Sequence, residues 1–206
     1  MASVPSLILA SASPRRRDLL AGLGVRFAVR PVDLDETPRS GEEARDYVRR
    51  LAEEKATARR GPGELVLAAD TSVVLDGEIL GKPADEAEAR AMLGRLAGRE
   101  HTVLTGIALA GGAGIALAGG AEAGDGVRAL VEESRVRIAP MSEEEIAWYA
   151  ATGEGLDKAG AYAAQGVGAL FVEAIAGDYT NVVGLPLPAT YRLFREAGRD
   201  LREFRS

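Results

Sequence analysis

The spacing of apolar residues predicts several amphipathic helices. The clearest covers 41–60, where Ala44, Val48 and Leu51 recur every three or four residues. Ser13 followed by Pro14 is typical of a helix start, because serine caps free amides and proline loses no hydrogen bond there. The predicted helices are 15–23, 41–60, 85–96, 142–151 and 187–197.

Nearly continuous apolar runs predict buried strands between these helices. Residues 65–69 form such a run, as expected of a strand covered on both faces, with Asp70 and Thr71 at its end. Asp76-Gly77 predicts a hairpin turn. The predicted strands are 7–9, 25–29, 65–69, 72–75, 78–80, 101–109, 127–138 and 170–175. This order predicts an α/β fold with a long central sheet, and we expect two lobes flanking a cleft within a single domain over 1–206.

One heptapeptide, Gly-Ile-Ala-Leu-Ala-Gly-Gly, occurs twice between Gly106 and Gly120, separated by Ala113. The repeat is too short for a solenoid. It predicts two short strands around a glycine turn and is typical of a duplicated insertion in a peripheral hairpin.

Composition indicates a soluble globular protein and narrows its partners. Of the 206 residues, 47% are hydrophobic and 27% are charged. The net charge of −6 argues against binding a nucleic-acid polymer, although a small anion needs only a local basic cleft. The chain has no Cys, which excludes disulfides and thiolate metal sites. We find neither a signal peptide nor a stretch apolar enough to span a membrane, and we expect a cytoplasmic protein.

Lysine is scarce in this chain. Of its 25 basic residues only Lys55, Lys82 and Lys158 are lysines. A lysine provides a compact, strongly hydrated ammonium with movable donors, which arginine cannot replace. Such groups, brought together from separate segments, would suit a polyanion such as a nucleoside triphosphate. Chance retention is the alternative.

The segment from Ser11 to Arg16 predicts an anion site. It connects a strand to a helix N-terminus, where free amides and the helix dipole favour negative charge. Two serine hydroxyls and two arginines add further donors. Phosphate-binding glycine motifs of the P-loop or Rossmann type are absent. An ordinary capped helix with solvated arginines is the alternative.

Acidic residues in two places are candidates for a metal site. Asp70 follows a buried strand, and Asp33, Asp35 and Glu36 lie in a proline-containing loop. Two carboxylates with water and substrate phosphates form a usual Mg²⁺ site, and the metal could activate water. The alternatives are a turn role for Asp70 and a solvated loop for the others.

The remaining candidates are weaker when taken singly. Lys82 lies in a Gly-Lys-Pro loop, Lys158 follows Asp157, and the amide of Gln165 could read a base edge because it both donates and accepts. His101 is the only histidine, so a Ser-His-Asp triad would need it, but we interpret it as structural. Trp148 is predicted to pack in the core.

Taken together, these residues give the chain a resemblance to the Maf family of septum-formation-inhibitor-like proteins. The resemblance runs nearly end to end and includes all three lysines. The matching motifs are Ser11-Ala12-Ser13-Pro14-Arg15-Arg16, Asp35-Glu36-Thr37-Pro38, Tyr47-Val48-Arg49-Arg50-Leu51-Ala52 through Lys55-Ala56, Ala69-Asp70-Thr71, Gly81-Lys82-Pro83, His101-Thr102-Val103 with Thr105-Gly106, Asp157-Lys158-Ala159-Gly160-Ala161-Tyr162, Gln165-Gly166, and Asn181 with Val183-Gly184-Leu185-Pro186-Leu187.

The resemblance implies a two-lobed mixed-sheet fold like that of inosine triphosphate pyrophosphatases, with an active-site cleft between the lobes. It also implies hydrolysis of a nucleotide between the α and β phosphates with a divalent cation, Mg²⁺ or Mn²⁺. Asp70 would activate water, and Glu36 and Asp70 would hold the metal. The implied phosphate-binding residues are Lys55, Lys82, Arg16, Ser11, Ser13 and Lys158.

Three positions place the resemblance in the branch that acts on dTTP and UTP. These are Arg15 after Pro14, Thr71 after Asp70, and Gln165 before Gly166, and they would read the pyrimidine. In the branch that favours 7-methyl-GTP, an aromatic residue, Gln and Glu tend to occupy these positions.

The alternatives to a pyrophosphatase are a nucleotide-binding regulator of cell division without hydrolysis and a phosphatase that releases orthophosphate. Homodimerisation is implied by the family alone.

Overall fold

The structure of the protein, a computed structural model, describes residues 6–111 and 126–205. The second copy of the heptapeptide, 114–120, and its insertion at Ala113 lie outside the described residues. The strands and helices are β1 (Ser6–Leu9), α1 (Pro14–Gly22), β2 (Ala28–Val29), α2 (Ala44–Thr57), β3 (Glu64–Leu75), β4 (Glu78–Leu80), α3 (Glu86–Leu96), β5 (Glu100–Gly111), β6 (Val127–Ile138), α4 (Glu143–Ala151), β7 (Val172–Ala176), α5 (Tyr179–Val183) and α6 (Leu187–Glu196), with 3₁₀ helices at Ala159–Ala161, Gly166–Phe171 and Leu201–Phe204.

The chain divides into two compact units. Unit 1 comprises Met1–Asp70, Thr105–Glu132 and Gly184–Ser206, and unit 2 comprises Thr71–Leu104 and Glu133–Val183. The predicted mixed α/β fold with a long sheet is confirmed, because the strands pair in the order β2-β1-β3-β5-β6-β7 with β4 on β3. The single domain over 1–206 and its cleft stay predictions. None of the helices in the described ranges is long and apolar enough to cross a membrane.

In unit 1, helices cover the sheet on both faces. Strand β1 pairs in parallel with β2 and with the first residues of β3. Side chains of a strand point alternately to opposite faces. Leu65, Leu67 and Ala69 therefore pack with α1 and α6, whereas Val66 and Ala68 pack with α2. This two-sided burial explains the uninterrupted apolar run.

Helix α2 lies unusually close to the sheet at Gly106 of β5. A Cβ at this position would lie 2.2 Å from the main-chain oxygen of Val48, so only glycine allows the approach. The contact fixes the helix that bears Lys55 against the strands.

Unit 2 has its own core around the second half of β3, with α3 and α4 packed against it. The predicted hairpin at Asp76-Gly77 is confirmed: β3 and β4 pair antiparallel, and both turn residues have positive φ. Strand β7 pairs antiparallel with β6.

Four sequence predictions of local structure need correction. The strand predicted over 25–29 is reduced to β2, since Val25 makes only an isolated bridge to Arg205. Asp70 does not end a strand, because β3 continues through it to Leu75. Trp148 is 51% exposed rather than in the core, since α4 buries the adjacent Tyr149 and Ala150 instead.

The fourth correction concerns the strand predicted over 170–175. Its first part belongs to the 3₁₀ helix Gly166–Phe171, and the strand β7 starts only at Val172. The carboxylate of Glu154 accepts hydrogen bonds from the amides of Val167 and Gly168, and these bonds hold the tight turn. The apolar pattern of Leu170 and Phe171 could not reveal this long-range contact.

His101 is a buried residue of unit 2, with a relative exposure of 3%. Its Nε2 lies 2.8 Å from the hydroxyl of Tyr162, and its Nδ1 has no hydrogen-bond partner among the described residues. Burial lowers the pKa of His101 to about 4. This position fits a structural histidine that is neutral at physiological pH.

We expect His101 to make the protein less stable in mild acid. An unfolded chain binds a proton at His101 below its ordinary pKa of 6.5, whereas the folded chain resists protonation until about 4. The free energy of unfolding should therefore fall by about 3 kcal/mol as the pH drops through this window. Urea unfolding of wild type and His101→Gln at pH 7.5 and 4.5 measures the difference. Equal pH dependence in both proteins would exclude this role.

Candidate active site

The alternation of β3 places Asp70 on the same face as Val66 and Ala68, and α2 covers this face. Lys55 lies on α2, where its side chain is only 9% exposed. Its Nζ donates a hydrogen bond of 2.7 Å to Oδ1 of Asp70. A buried lysine and a buried aspartate thus form an ion pair inside unit 1.

Glu36 completes this cluster from the loop before α2. Its Oε1 lies 2.6 Å from the same Nζ of Lys55. The two carboxylates therefore lie within two hydrogen-bond lengths of each other, with one ammonium between them. The side chain of Glu36 is 43% exposed, so the cluster is open to solvent on the side of Glu36.

Tyr47 holds the main chain of Glu36 in place. Its hydroxyl donates a 2.8 Å hydrogen bond to the main-chain oxygen of Glu36. Burial and the nearby charges of Asp70 and Glu36 raise the pKa of Tyr47 to about 12, so the hydroxyl keeps its proton at neutral pH. Tyr47 and Lys55 lie two helical turns apart on one face of α2. The same helix face thus holds both the main chain and the side chain of Glu36.

Arg16 joins three segments of unit 1 next to Asp70. Its Nε donates to the oxygen of Gly184 and its Nη1 to that of Ala69, both at 2.7 Å. Nη1 also donates to Oγ of Ser11 at 3.3 Å. Burial lowers the pKa of Arg16, and the charge of Asp70 opposes this effect. These donors fix the backbone beside Asp70, and the guanidinium adds positive charge.

Ser11 and Ser13 lie where the sequence predicts an anion site. Ser13 caps α1, accepting from the amide of Arg16, and Oγ of Ser11 accepts from the amide of Ser13. Arg15 is half-buried in the first turn of α1. The structure thus confirms the predicted helix start, and both hydroxyls retain a hydrogen that can be donated to a ligand.

The other two acids of the loop are placed differently from Glu36. Asp33 and Asp35 are exposed, and Oδ1 of Asp35 accepts from the amide of Thr37. The hydroxyl and the amide of Thr37 lower the pKa of Asp35. Asp35 therefore stabilises a turn within its own loop.

The remaining predicted residues belong to unit 2. Thr71 follows Asp70 in β3, and Lys82 is exposed after β4. The Nζ of Lys158 donates to the main-chain oxygen of Glu154 and pairs with Asp157 at 2.5 Å. Gln165 is exposed, directly before a 3₁₀ helix. Lys158 and Gln165 are thus both connected to the segment around Glu154.

Glu36 and Asp70 are suited to hold a divalent cation. They provide hard carboxylate oxygens, and they already converge on one positive charge, the ammonium of Lys55. Over 6–111 and 126–205, no group of three or more His, Cys, Asp or Glu side chains could hold a metal by itself. A metal here would need water or substrate oxygens as further ligands, which is usual for Mg²⁺.

Sequence analysis missed the supporting role of three residues. Tyr47 was counted only as a helical position within a motif shared with Maf proteins, and Tyr149 and Glu154 were not considered. The side chain of each residue forms a hydrogen bond with a main-chain group more than ten residues away, and no sequence pattern encodes such a contact. For Tyr47, the available signal was a phenol on the same helix face as Lys55.

Comparison with known proteins gives a consistent result. A family model described as Maf-like protein matches residues 6–197. The dTTP/UTP pyrophosphatase of Myxococcus xanthus (strain DK1622) is 53% identical over 197 residues, which cover 95% of this chain and 94% of that protein. The dTTP/UTP pyrophosphatase of Anaeromyxobacter sp. (strain Fw109-5) is 54% identical over 195 residues, covering 95% and 91%.

A third relative, the dTTP/UTP pyrophosphatase of Symbiobacterium thermophilum, is 50% identical over 194 residues, covering 93% of this chain and 94% of that protein. The solved structure of the Staphylococcus aureus Ham1 protein is 16% identical and covers 65% of this chain and 72% of that chain. Its TM-score of 0.40 is too low to bear on the fold. The match to the family model and the identity to these relatives both extend over nearly the whole sequence, and the chain therefore belongs to the Maf family.

Proposed function

We propose that this protein is a nucleoside triphosphate pyrophosphatase that hydrolyses dTTP and UTP to the monophosphate and pyrophosphate. The observation that carries the proposal is the cluster of Lys55 between the carboxylates of Glu36 and Asp70. The acids are suited to activate water, and the buried ammonium is suited to stabilise phosphate charge. A protein that only binds nucleotides has no need to activate water. The names of the relatives support the same activity.

Asp70 is the candidate that orients or activates the attacking water. It is largely buried and fixed by Lys55, so its carboxylate is held in one place. Together with Glu36 it would hold Mg²⁺ or Mn²⁺, which would neutralise phosphate charge when bound. The proposed phosphate contacts are Lys55, Lys82, Lys158, Arg16, Ser11 and Ser13, and the proposed base contacts are Arg15, Thr71 and Gln165.

For Arg16 the contacts support a combined role. The donors that bind Ala69 and Gly184 position the backbone next to Asp70. Its charge lies close enough to Asp70 and Glu36 to interact with both. The same charge would stabilise a phosphate bound beside these acids.

One assay tests the proposal against its alternatives. The protein is incubated with a panel of nucleoside triphosphates and with Mg²⁺ or Mn²⁺, and pyrophosphate and orthophosphate are measured separately. Pyrophosphate from dTTP and UTP is the expected result. Orthophosphate alone would indicate a phosphatase, and nucleotide binding without product would indicate a regulator. Cytoplasmic location and homodimerisation stay predictions.

Gln165→Glu tests the proposed base contact. Glutamate loses the amide donor and adds a negative charge, so we expect kcat/KM for dTTP to fall by about tenfold while purine nucleotides are less affected. Because Gln165 is exposed, the melting temperature should not change. The measurement is kcat/KM for dTTP, UTP and dGTP. An unaltered substrate profile would remove Gln165 from the base contacts.

A further inference from the structure

The segment from Ala163 to Gly168 carries Gln165 and is bonded at both ends to the same pair of side chains. Near its start, the amide of Ala163 donates to the hydroxyl of Tyr149 at 3.0 Å. At its end, the amides of Val167 and Gly168 donate to the carboxylate of Glu154 at 2.9 and 2.8 Å. The hydroxyl of Tyr149 donates to the same carboxylate at 2.8 Å, which closes the arrangement.

The backbone of the segment packs tightly around this pair. Gly166 has a φ of +68°, and a Cβ on it would lie 2.1 Å from Oε1 of Glu154. A Cβ on Gly168 would lie 2.5 Å from the hydroxyl oxygen of Tyr149. Both glycines are therefore required by the close approach of the chain to the pair. Gln165 itself is exposed, so its backbone is held while its side chain is left for a ligand.

The charge states of the pair favour these hydrogen bonds. Tyr149 is almost completely buried, and burial followed by the nearby Glu154 raises its pKa, so it remains a donor. Burial raises the pKa of Glu154, but the hydrogen bonds from Gly168, Val167 and Tyr149 outweigh this effect and lower it. An ionised carboxylate thus accepts three hydrogen bonds from neutral donors, which are stronger than bonds between uncharged groups.

Glu154 also holds the second predicted ligand contact of unit 2. Its main-chain oxygen accepts a hydrogen bond from Nζ of Lys158. The side chain of Lys158 is only 13% exposed, which indicates that its position is fixed. One residue therefore connects the main chain beside Gln165 with the ammonium of Lys158.

We propose that Tyr149 and Glu154 form a positioning pair that fixes the Gln165 segment and thereby sets the preference for pyrimidine over purine nucleotides. The inference rests on the proposed function, because it assigns the base contact to Gln165. Neither side chain is a catalytic residue, since each acts through the main chain of the segment. The side-chain amide of Gln165 discriminates between bases better if the backbone that carries it is held in place, because a mobile segment adapts to other bases.

Glu154→Gln is the principal test. A glutamine has one acceptor oxygen and one donor nitrogen, so it cannot accept from both amides and Tyr149. We expect the ratio of kcat/KM for dTTP to that for dGTP to fall by about tenfold, mainly through a higher KM for dTTP. The product should remain pyrophosphate, because the cluster around Asp70 belongs to unit 1 and is unchanged.

Tyr149→Phe is the milder variant and keeps the test valid if Glu154→Gln fails to fold. It removes the acceptor for Ala163 and one donor to Glu154, but it leaves both hydrogen bonds that the amides of Val167 and Gly168 donate to the carboxylate. In Tyr149→Phe, the ratio of kcat/KM for dTTP to that for dGTP should lie between the ratios of wild type and Glu154→Gln. Glu144→Gln, on the exposed first turn of α4, is the matched control and should keep the wild-type ratio.

Calorimetric binding of dTTP and dGTP without turnover separates this inference from the proposed function. Binding preference that is lost in Glu154→Gln, in a protein that releases no pyrophosphate, would support the pair and contradict the proposed activity. Hydrolysis with an unchanged dTTP to dGTP ratio in both folded variants would overturn the inference alone. An equal loss for all nucleotides would also overturn it, because that result indicates a purely structural role.

Discussion

Asp70→Asn is expected to lower kcat for dTTP by about 10³-fold with little change in stability. Asparagine keeps the shape of the side chain but cannot accept a proton from water or provide a charged metal ligand. Lys55 keeps two acceptors, the new amide oxygen and the carboxylate of Glu36, so its ammonium stays bonded. The melting temperature should therefore stay within a few degrees of wild type. Steady-state release of pyrophosphate and thermal unfolding measure the two effects.

Asp18→Asn provides the matched control for this prediction. Asp18 is an exposed aspartate on α1 whose ion-pair partner in the described part of the chain is the neighbouring Arg17, so its neutralisation should leave kcat unchanged. The same loss of charge is thus compared at a buried position and an exposed one. Wild-type turnover in Asp70→Asn would contradict the proposed role of Asp70, whatever its stability.

The face of the sheet on which Asp70 lies could be predicted from the sequence alone. The apolar run at 65–69 indicates a strand buried on both sides, and alternation then places Asp70 on the same face as Val66 and Ala68. Only the end of the strand was predicted wrongly, because a carboxylate was taken as a strand terminator. The partner of Asp70 on α2 makes a carboxylate acceptable within a buried strand.

The choice among the loop acids could not be made from residue types. Asp33, Asp35 and Glu36 are all carboxylates in one irregular segment, and no periodicity orients them. The structure distinguishes them by long-range contacts: Tyr47 binds the main chain of Glu36, whereas Asp35 accepts from Thr37 within the loop. The resemblance to Maf proteins, rather than local physics, identified Glu36 in the sequence.

For the segment around Gln165, the sequence revealed the motif but not its conformation. Its glycines and Gln165 were visible as a motif, but their conformation depends on Glu154 and Tyr149, which lie more than ten residues earlier. Apolar Leu170 and Phe171 therefore favoured a strand that the hydrogen bonds to Glu154 prevent. Local propensity fails here because the half-buried carboxylate of Glu154 organises a main-chain segment that lies more than ten residues away.

Lys55→Met is expected to abolish activity and to destabilise the protein. Methionine fills a similar space and suits a helix, but it leaves the buried carboxylate of Asp70 without its positive partner. Glu36 is better solvated, so the loss of stability comes mainly from the unpaired charge of Asp70. We expect the free energy of unfolding to fall by on the order of 3 kcal/mol, measured by urea unfolding without divalent metal. Lys82→Met, at an exposed lysine, should be neutral in stability.

A second substitution identifies the cause of this destabilisation. If an unpaired charge on Asp70 is responsible, Lys55→Met/Asp70→Asn should be more stable than Lys55→Met alone, although two side chains have been changed. Added Mg²⁺ should stabilise Lys55→Met more than the double variant, because a cation binds the two remaining carboxylates and the folded state gains its binding energy. A double variant less stable than Lys55→Met, with no response to Mg²⁺ in either, would show that Lys55 supports packing rather than compensating charge.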